Sequence, residues 1–303
     1  MSLGGLDGVL FFPVTPFDAG GVDEVALARH VEAGLAHGPG AVFVACGTGE
    51  FAALSPAEHA AAVRVAVDVV AGAVPVVAGA GGALAAAQAC VREAAGAGAD
   101  GVLLLPPYLV GGPPAGLGAW VEQVLAAADL PAILYGRANA RYSPALVAEL
   151  AGHPLVAGYK DGIGDLDLMQ RIVVALRRAG RDLLLFNGLP TAELTMPAYR
   201  GLGVHRWSSA VFAFLPELAT AFATALAAGD DKRVETLIDG FYEPLVALRD
   251  RVPGYAVSLV KAGVTLRGEV DAGSVRPPLV DPAPADVAEL RRLVACGLEL
   301  AGG

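Results

Sequence analysis

Residues 74–106 read VPVVAGAGGALAAAQACVREAAGAGADGVLLLP, two short apolar runs on either side of an alanine-rich segment. The runs Val74–Ala78 and Gly101–Leu105 are continuously apolar, as strands are when helices cover both faces of a sheet. The segment between them, Leu84–Ala97, has helical spacing. Strands joined through a helix of this length pair in parallel, because a parallel crossover needs about a dozen residues or more. The stretch therefore predicts a β-α-β unit.

The same alternation continues outward in both directions. Short β-branched runs predict eight strands, at Val9–Val14, Ala41–Ala45, Val74–Ala78, Gly101–Leu105, Ala132–Tyr135, Val156–Lys160, Leu183–Phe186 and Val204–Ser208. Helical spacing predicts eight helices, near Glu24–Ala36, Pro56–Val70, Leu84–Ala97, Gly118–Ala128, Pro144–Leu150, Leu166–Ala179, Thr191–Arg200 and Leu215–Ala228. Eight such units fit an α/β fold, the (β/α)8 TIM barrel. A doubly wound open sheet is the alternative, and the number of units favours the barrel.

Strand signals stop after Ala228. Three helical segments follow, around Lys232–Arg249, Ala256–Leu266 and Pro284–Leu300, with a proline-rich connector between the last two. We expect residues 1–228 to form the barrel and residues 229–303 to form a C-terminal helical extension packed on it, the two parts making one structural unit.

Composition excludes several classes of protein. Of 303 residues, 55% are hydrophobic and 17% charged, which is unlike a disordered chain. The net charge of -10 and the aromatic content of 6% argue against a nucleic-acid partner. No apolar run reaches about 20 residues, and the first residues lack a signal-peptide pattern. Three separated cysteines without a CxxC pair indicate reduced thiols, so we expect a soluble cytoplasmic protein with no membrane partner.

Polar residues gather at the predicted carboxyl ends of the strands, where barrel enzymes place their active sites. Lys160 ends an apolar run in which Val156, Gly158 and Lys160 would share one face. Inside the barrel, burial would lower the pKa of the lysine, and the neutral amine could form a Schiff base with a carbonyl. The alternative is a surface lysine paired with Asp161 or Asp165.

Two further features accompany this lysine. Tyr135 ends the preceding strand and could move a proton to or from an imine on Lys160, although a tyrosine at the rim of the barrel is an equal possibility. The turn Gly47-Thr48-Gly49-Glu50 offers amides and a hydroxyl that could hold a carboxylate, or is only a tight turn. Asn187, Gly188, Ser208 and Ser209 also lie at the ends of predicted strands.

The sequence does not contain the motifs of several other kinds of active site. The chain has no phosphate-loop lysine and no G-x-S-x-G turn, and its five histidines show no paired spacing, so no metal site is predicted.

Several motifs together resemble the dihydrodipicolinate synthase and N-acetylneuraminate lyase superfamily over essentially the whole chain. They are FPVTPF at the first strand, CGTGE at the second, PPY at the fourth, Tyr135 at the fifth and Lys160 at the sixth. Within that superfamily, VACGTGEF, YGRANARYS, GYKDGIGD, NGLPTAE and WSSAVFAF are more similar to the 5-dehydro-4-deoxyglucarate dehydratases. The resemblance implies a Schiff-base barrel, usually a homotetramer, with no metal or organic cofactor and with a small sugar diacid as substrate.

The resemblance also implies roles for residues. Lys160 matches the imine-forming lysine, Tyr135 the proton-shuttling tyrosine, and Thr48 with Gly47 the site of the 2-oxo acid carboxylate. Candidates for the distal end of the substrate are Arg137, Asn139, Ser208 and Ser209, with Asn187 and Gly188 also at the mouth.

Three positions depart from the family patterns. Leu109 replaces the second tyrosine of the synthases, which favours the dehydratases. Gly136 stands where those dehydratases commonly have Asn, and Asn187 where they commonly have Gly.

The function that the resemblance implies is loss of water and CO2 from 5-dehydro-4-deoxyglucarate, giving 2,5-dioxopentanoate, within glucarate catabolism. One alternative is another Schiff-base enzyme of the superfamily, either synthase-like or sialic acid lyase-like. The other alternative is a barrel that binds sugar acids without catalysis.

Overall fold

The computed structural model describes Leu3, residues 6–107 and residues 111–302. Eight parallel strands close into a barrel, each paired with its neighbours in sequence and the last paired with the first. They are β1 Leu10–Phe11, β2 Ala41–Val44, β3 Val76–Gly82, β4 Gly101–Pro107, β5 Ala132–Gly136, β6 Val156–Asp161, β7 Leu184–Asn187 and β8 Arg206–Ser209. The predicted (β/α)8 barrel is confirmed.

Helices surround the barrel and continue beyond it. The bounds are α1 Glu24–Leu35, α2 Pro56–Val70, α3 Leu84–Ala97, α4 Pro114–Leu125, α5 Pro144–Leu150, α6 Leu166–Arg178, α7 Met196–Gly201, α8 Pro216–Ala228, α9 Asp231–Leu237, α10 Glu243–Arg249, α11 Tyr255–Arg267 and α12 Pro284–Gly302. Local sequence explains their ends. Ser55 and Glu58 form a capping box at α2, and Gly98 in the left-handed conformation ends α3.

Several boundaries differ from the sequence predictions. The first strand is only two residues long, because the chain leaves the sheet and then makes a small hairpin, Phe17–Asp18 with Gly21–Val22. The helix predicted at Thr191–Arg200 is a 3-10 turn followed by α7. A π turn, Ile238–Tyr242, divides the single helix predicted at Lys232–Arg249 into α9 and α10.

The predicted alternation along β6 is wrong at its start. The register between β5 and β6 shifts, with Ala132 opposite Val156 but Ile133 opposite Gly158. Val156 therefore packs in the outer core, while Ala157 packs against the barrel interior. Such an irregularity changes which side chains face inward. Beyond it, Lys160 faces the interior as predicted.

The hydrophobic core has two parts. The larger part lies between the barrel and its helices. The smaller part contains one or two inward-facing residues from each of several strands, together with residues near the amino terminus: Leu3, Leu6, Leu10, Phe12, Ala41, Phe43, Cys46, Val77, Leu103, Ile133, Tyr135 and Phe186. This filling makes the barrel interior a packed core rather than a pore.

Residues beyond Ala228 pack on the barrel helices. Helix α12 contacts α8 and α11, and a Cβ added at Gly297 would lie 2.5 Å from a Leu215 methyl group, which shows how closely these elements approach. Of the helices that the structure describes, none has both the length and the apolar character needed to cross a membrane.

Candidate active site

A cavity of about 230 Å³ opens where the barrel strands end. Barrel residues form one wall, and residues of α10 and α11 form the other. The residues that line it and bear on its chemistry are Phe12, Gly47, Thr48, Tyr135, Arg137, Lys160, Gly188, Ser208, Arg249 and Tyr255. The size suits a small molecule rather than a polymer segment.

Lys160 lies at this cavity with its amine among aromatic rings. Its side chain is only 6% exposed, and Nζ lies 4.4 Å from the centre of the Phe12 ring and 4.5 Å from that of Tyr135. Burial lowers the pKa of the amine and outweighs Tyr135 and Cys46, which raise it, while Arg137 adds to the lowering. A lysine in this environment loses its proton more readily than a solvated one, so it can act as a nucleophile. The ion pair with Asp161 or Asp165 that the sequence left open is not formed, among the residues described.

Tyr135 lies directly beside Lys160, because the two are register partners in β5 and β6. Its hydroxyl donates a hydrogen bond to the Gly188 carbonyl at 2.8 Å and accepts one from Arg137 Nη1 at 3.0 Å. The phenol is therefore held in one place next to the amine, as a proton-transfer group must be.

Two glycines make room for this pair. A Cβ at Gly188 would lie 2.6 Å from Lys160 Cε, and one at Gly162 would lie 2.7 Å from the Tyr135 ring. Real Cβ atoms do not approach so closely, so a larger residue at either position would displace the lysine or the tyrosine. The sequence predicted Gly188 as a substrate contact, and the structure adds that it accommodates the Lys160 side chain.

The turn after β2 presents unused backbone donors. Thr15 Oγ1 donates to the Gly49 carbonyl at 2.7 Å and fixes the turn, and Gly47 and Thr48 line the cavity. Within the described part of the chain, the N–H groups of residues 47–49 make no hydrogen bond. Successive unpaired amides at a cavity form a site for an anion such as a carboxylate.

The remaining predicted site residues divide into two groups. Arg137 and Ser208 line the cavity. Asn187 is buried, and its amide donates to Thr195 Oγ1 at 2.8 Å and to the Ala192 carbonyl at 3.0 Å, which holds the following loop. Ser209 donates to Glu193 Oε1 at 2.5 Å on the outer side of β8.

Asn139 lies away from the cavity that Lys160 lines. Its amide donates to the Pro107 carbonyl at 2.8 Å, and it lines a separate cavity that Leu84 and Trp120 also border. Tyr108 and Leu109, on which part of the family comparison depends, lie outside the described residues.

The C-terminal extension contributes residues to the site that were not predicted from the sequence. Arg249, at the end of α10, lines the cavity, and Lys261 of α11 pairs with Glu50 at 2.8 Å inside the protein. No local signal marks Arg249, since arginine at the end of a helix is ordinary. Glu50 within CGTGE was a weak signal, because a carboxylate beside a buried glycine turn needs a partner.

The charge at the cavity is opposite to the charge of the chain. Its described lining contains Arg137, Lys160 and Arg249 and no aspartate or glutamate, although the whole protein carries -10. The nearest thiol, Cys46, is fully buried, and burial raises its pKa to about 12, so it stays protonated. Among described residues, no three His, Cys, Asp or Glu side chains cluster as metal ligands do. The arrangement can therefore bind an anion beside a reactive amine.

Curated relatives match nearly the whole chain. A protein of Streptomyces griseus subsp. griseus named probable 5-dehydro-4-deoxyglucarate dehydratase is 55% identical over 97% of this chain and 92% of its own length. A Streptomyces coelicolor protein named probable 5-dehydro-4-deoxyglucarate dehydratase 1 is 54% identical over 96% of this chain and 92% of its own.

Solved structures agree with the fold. The crystal structure of dihydrodipicolinate synthase from Bacillus clausii superposes with a TM-score of 0.86 at 26% identity, covering 97% of this chain and 98% of that one. The model of the dihydrodipicolinate synthetase family matches residues 5–295. With a family match over almost its full length, the chain belongs to the dihydrodipicolinate synthetase family.

Proposed function

We propose that this protein is a 5-dehydro-4-deoxyglucarate dehydratase, which converts that sugar diacid to 2,5-dioxopentanoate, water and CO2. The observation that carries the proposal is the buried Lys160 amine at a cationic cavity beside Tyr135. The relatives named as this dehydratase share 44–55% identity with the chain and support the choice of substrate.

The reaction begins at the ketone next to one carboxylate. That carboxylate binds the free amides of residues 47–49 and the Thr48 hydroxyl, which places the ketone against Lys160. The neutral amine adds to the carbonyl carbon and water leaves, giving a protonated imine. The imine withdraws electrons from the adjacent methylene group and so makes its protons acidic.

Removal of a methylene proton gives an enamine, and the enamine then expels hydroxide from the next carbon. Tyr135 is placed to take the first proton and return one to the departing hydroxyl, so water leaves. Arg137, which donates to the Tyr135 oxygen, stabilises negative charge that develops there. The product is an unsaturated imine conjugated towards the far end of the substrate.

Loss of CO2 follows for an electronic reason. Before water leaves, the electrons of the far C–CO2 bond have no acceptor. Afterwards they flow through the double bond into the imine, and CO2 departs. Protonation of the resulting dienamine, conversion of its enol to an aldehyde and hydrolysis of the imine release 2,5-dioxopentanoate and the free lysine.

The test is a product assay combined with imine trapping. Purified protein should release one CO2 for each 5-dehydro-4-deoxyglucarate consumed, and borohydride should trap an adduct on Lys160. The chain has three lysines, Lys160, Lys232 and Lys261, so mass spectrometry of peptides identifies the site directly.

Lys160→Ala should give neither product nor adduct, and Lys232→Ala, at an exposed position, is the matched control that should give both. Turnover of pyruvate with aspartate semialdehyde, or of sialic acid, without turnover of the oxo-diacid would overturn this choice. Binding of sugar acids with no adduct on any lysine would indicate a barrel without catalysis.

We also propose, from the family resemblance and the three free cysteines, a cytoplasmic homotetramer in which residues 1–228 and 229–303 fold as one unit. Light scattering after size-exclusion chromatography tests the assembly, with four times the chain mass of 30.6 kDa expected.

A further inference from the structure

Arg249 is fixed at the cavity by the protein around it. It ends α10 in the C-terminal extension, and its side chain is 17% exposed. Nε donates to Asp250 Oδ1 at 2.7 Å and Nη1 donates to the Pro190 carbonyl at 2.8 Å. Pro190 itself lines the cavity, two residues after Gly188. The guanidinium is therefore held in place before any ligand arrives.

Donors remain on this guanidinium. The group has five N–H donors, and the two bonds to Asp250 and Pro190 use two of them. Nη2 makes no hydrogen bond to any residue that the structure describes. A planar group with spare donors beside an open cavity is suited to a carboxylate, which arginine binds with charge-assisted hydrogen bonds.

The other two basic side chains of the cavity lie at the end of the site where the imine forms. Lys160 has a lowered pKa and reacts as an amine, while Arg137 donates to the Tyr135 hydroxyl, the register partner of Lys160. Lys160 forms the imine and Arg137 acts on the proton-transfer group beside it, so both serve the same end of the substrate. The carboxylate next to that carbon has the amides of residues 47–49. A second carboxylate needs its own cation, since burying one unpaired is costly.

We propose that Arg249 binds the second carboxylate of the substrate, the one distant from the ketone, and so makes the cavity select 2-oxo diacids over 2-oxo monoacids. The proposal rests on the proposed function and deepens it by naming the group that recognises the distal end. The extension thereby supplies part of the substrate site.

The carboxylate that Arg249 binds is also the group that leaves as CO2. The carboxylate loses its negative charge as it becomes CO2, so its bond to Arg249 is strongest before the C–C bond breaks. The carboxylate keeps its charge through imine formation and loss of water, so Arg249 binds the ground state and the transition states of those steps equally. Such uniform binding lowers KM without changing kcat. Arg249 is thus a binding residue, and its removal should act on KM.

The experiment compares Arg249→Gln with the wild type. Loss of a charge-assisted hydrogen bond should raise KM for 5-dehydro-4-deoxyglucarate roughly 10- to 100-fold while kcat changes by less than about threefold. Arg249→Lys keeps the charge but loses the planar guanidinium, so its KM should lie between that of the wild type and that of Arg249→Gln. The exposed Arg292→Gln, which removes the same charge from the extension, should leave both constants unchanged.

A second measurement separates this proposal from the proposed function. Borohydride trapping on Lys160 needs no turnover, so pyruvate and 2-oxoadipate, which has the length of the substrate but no hydroxyl to lose, can be compared. Arg249→Gln should raise the half-saturating concentration of 2-oxoadipate about 10-fold or more and leave that of pyruvate unchanged.

Equal effects on both acids, or none on either, would overturn the role of Arg249 even if the dehydratase activity is found. Selective loss of 2-oxoadipate in a protein that does not turn over the oxo-diacid would overturn the proposed function alone.

Discussion

At the scale of single residues, proton transfer depends on the hydroxyl group of Tyr135. It lies between the Gly188 carbonyl and the Arg137 guanidinium, beside the Lys160 amine. Tyr135→Phe should keep imine formation, because Lys160 is unchanged, and should lower kcat roughly 10²–10⁴-fold. Product release measured against borohydride trapping checks this split.

A neighbouring tyrosine provides the control for that variant. Tyr159 precedes Lys160 in β6, and its buried hydroxyl makes no hydrogen bond to any described residue. Tyr159→Phe removes the same atom and should leave turnover near that of the wild type. If Tyr135→Phe also retained full turnover, the proton would have to move through water instead.

Gly136, a departure from the family pattern, has a packing reason. A Cβ at this position would lie 2.2 Å from the Tyr159 hydroxyl. Gly136→Ala should therefore lower the free energy of unfolding by about 1–3 kcal/mol, as overpacked core positions do. Adding Tyr159→Phe should recover part of that loss, since it removes the nearest atom. Urea denaturation of the two single variants and the double variant measures the coupling, and simple additivity would contradict this explanation.

Single residues also show where prediction from sequence ends. Lys160, Tyr135 and Thr48 could be placed at the cavity because each lies at or just after the end of a strand and a parallel barrel gathers strand ends. Asn187 and Ser209 end strands as well, yet their side chains bond to neighbouring loops. Position along a strand fixes the end of the barrel at which a residue lies, whereas the direction of its side chain depends on partners that only the fold brings together.

At the scale of elements, a buried ion pair joins α11 to the turn after β2. Lys261 and Glu50 are each 1% exposed, and Nζ lies 2.8 Å from Oε1. The second Glu50 oxygen accepts a hydrogen bond from the Arg276 backbone N–H at 2.8 Å. The centre of the Phe17 ring lies 3.9 Å from Lys261 Nζ and 3.9 Å from Arg276 Cζ. The turn that offers its amides to the cavity is thus attached to the C-terminal extension.

Removing one partner should be more damaging than removing both. Lys261→Met leaves Glu50 buried without its cation, and we expect a loss of roughly 3–5 kcal/mol in the free energy of unfolding. The double variant E50Q/K261M should lose less, because no unpaired charge remains. The exposed pair Asp167–Arg171 is the control: Arg171→Ala should cost about 0.5 kcal/mol or less. Equal losses in the single and double Lys261 variants would show that packing, and not charge, holds the extension.

Element prediction succeeded where local patterns carry the information. The eight strands and most helices follow from apolar runs and helical spacing. The π turn Ile238–Tyr242 was not predicted, although the segment contains Gly240 and is followed by Pro244, which lacks the N–H that would continue the helix. The pair Glu50–Lys261 spans 211 positions and becomes visible only when the barrel closes.

At the scale of the whole molecule, the charge of the chain and that of its cavity are separated. A protein of net charge -10 repels a dianionic substrate at long range, while the described cavity lining is cationic. Long-range repulsion is screened over about 10 Å in 0.1 M salt, but a contact between a guanidinium and a carboxylate in a recessed site is screened much less. An acidic composition therefore argues against a polyanionic nucleic acid as partner and is compatible with a small dianion as substrate.

Global stability should depend on a histidine far from the chemistry. His30 is 4% exposed, and its Nε2 accepts the Val14 backbone N–H at 3.3 Å, which requires the neutral ring. Burial lowers the pKa of His30 to about 4 from 6.5. Above pH 6.5 both folded and unfolded states hold the ring neutral, and stability is complete. Between pH 6.5 and 4 only the unfolded state takes up the proton, so stability falls by about 2 kcal/mol from pH 7 to pH 5.

Other groups also titrate in this interval, so the contribution of His30 must be isolated by difference. His30→Gln keeps an acceptor for the Val14 amide but removes the titration, and its loss of unfolding free energy between pH 7 and pH 5 should be smaller by about 2 kcal/mol than that of the wild type. His37→Gln, at an exposed position seven residues along, should follow the wild type. Parallel pH profiles for all three proteins in urea denaturation would contradict this prediction. They would mean that the His30 ring takes up a proton in the folded barrel at no cost in stability, so that the hydrogen bond to Val14 does not keep it neutral.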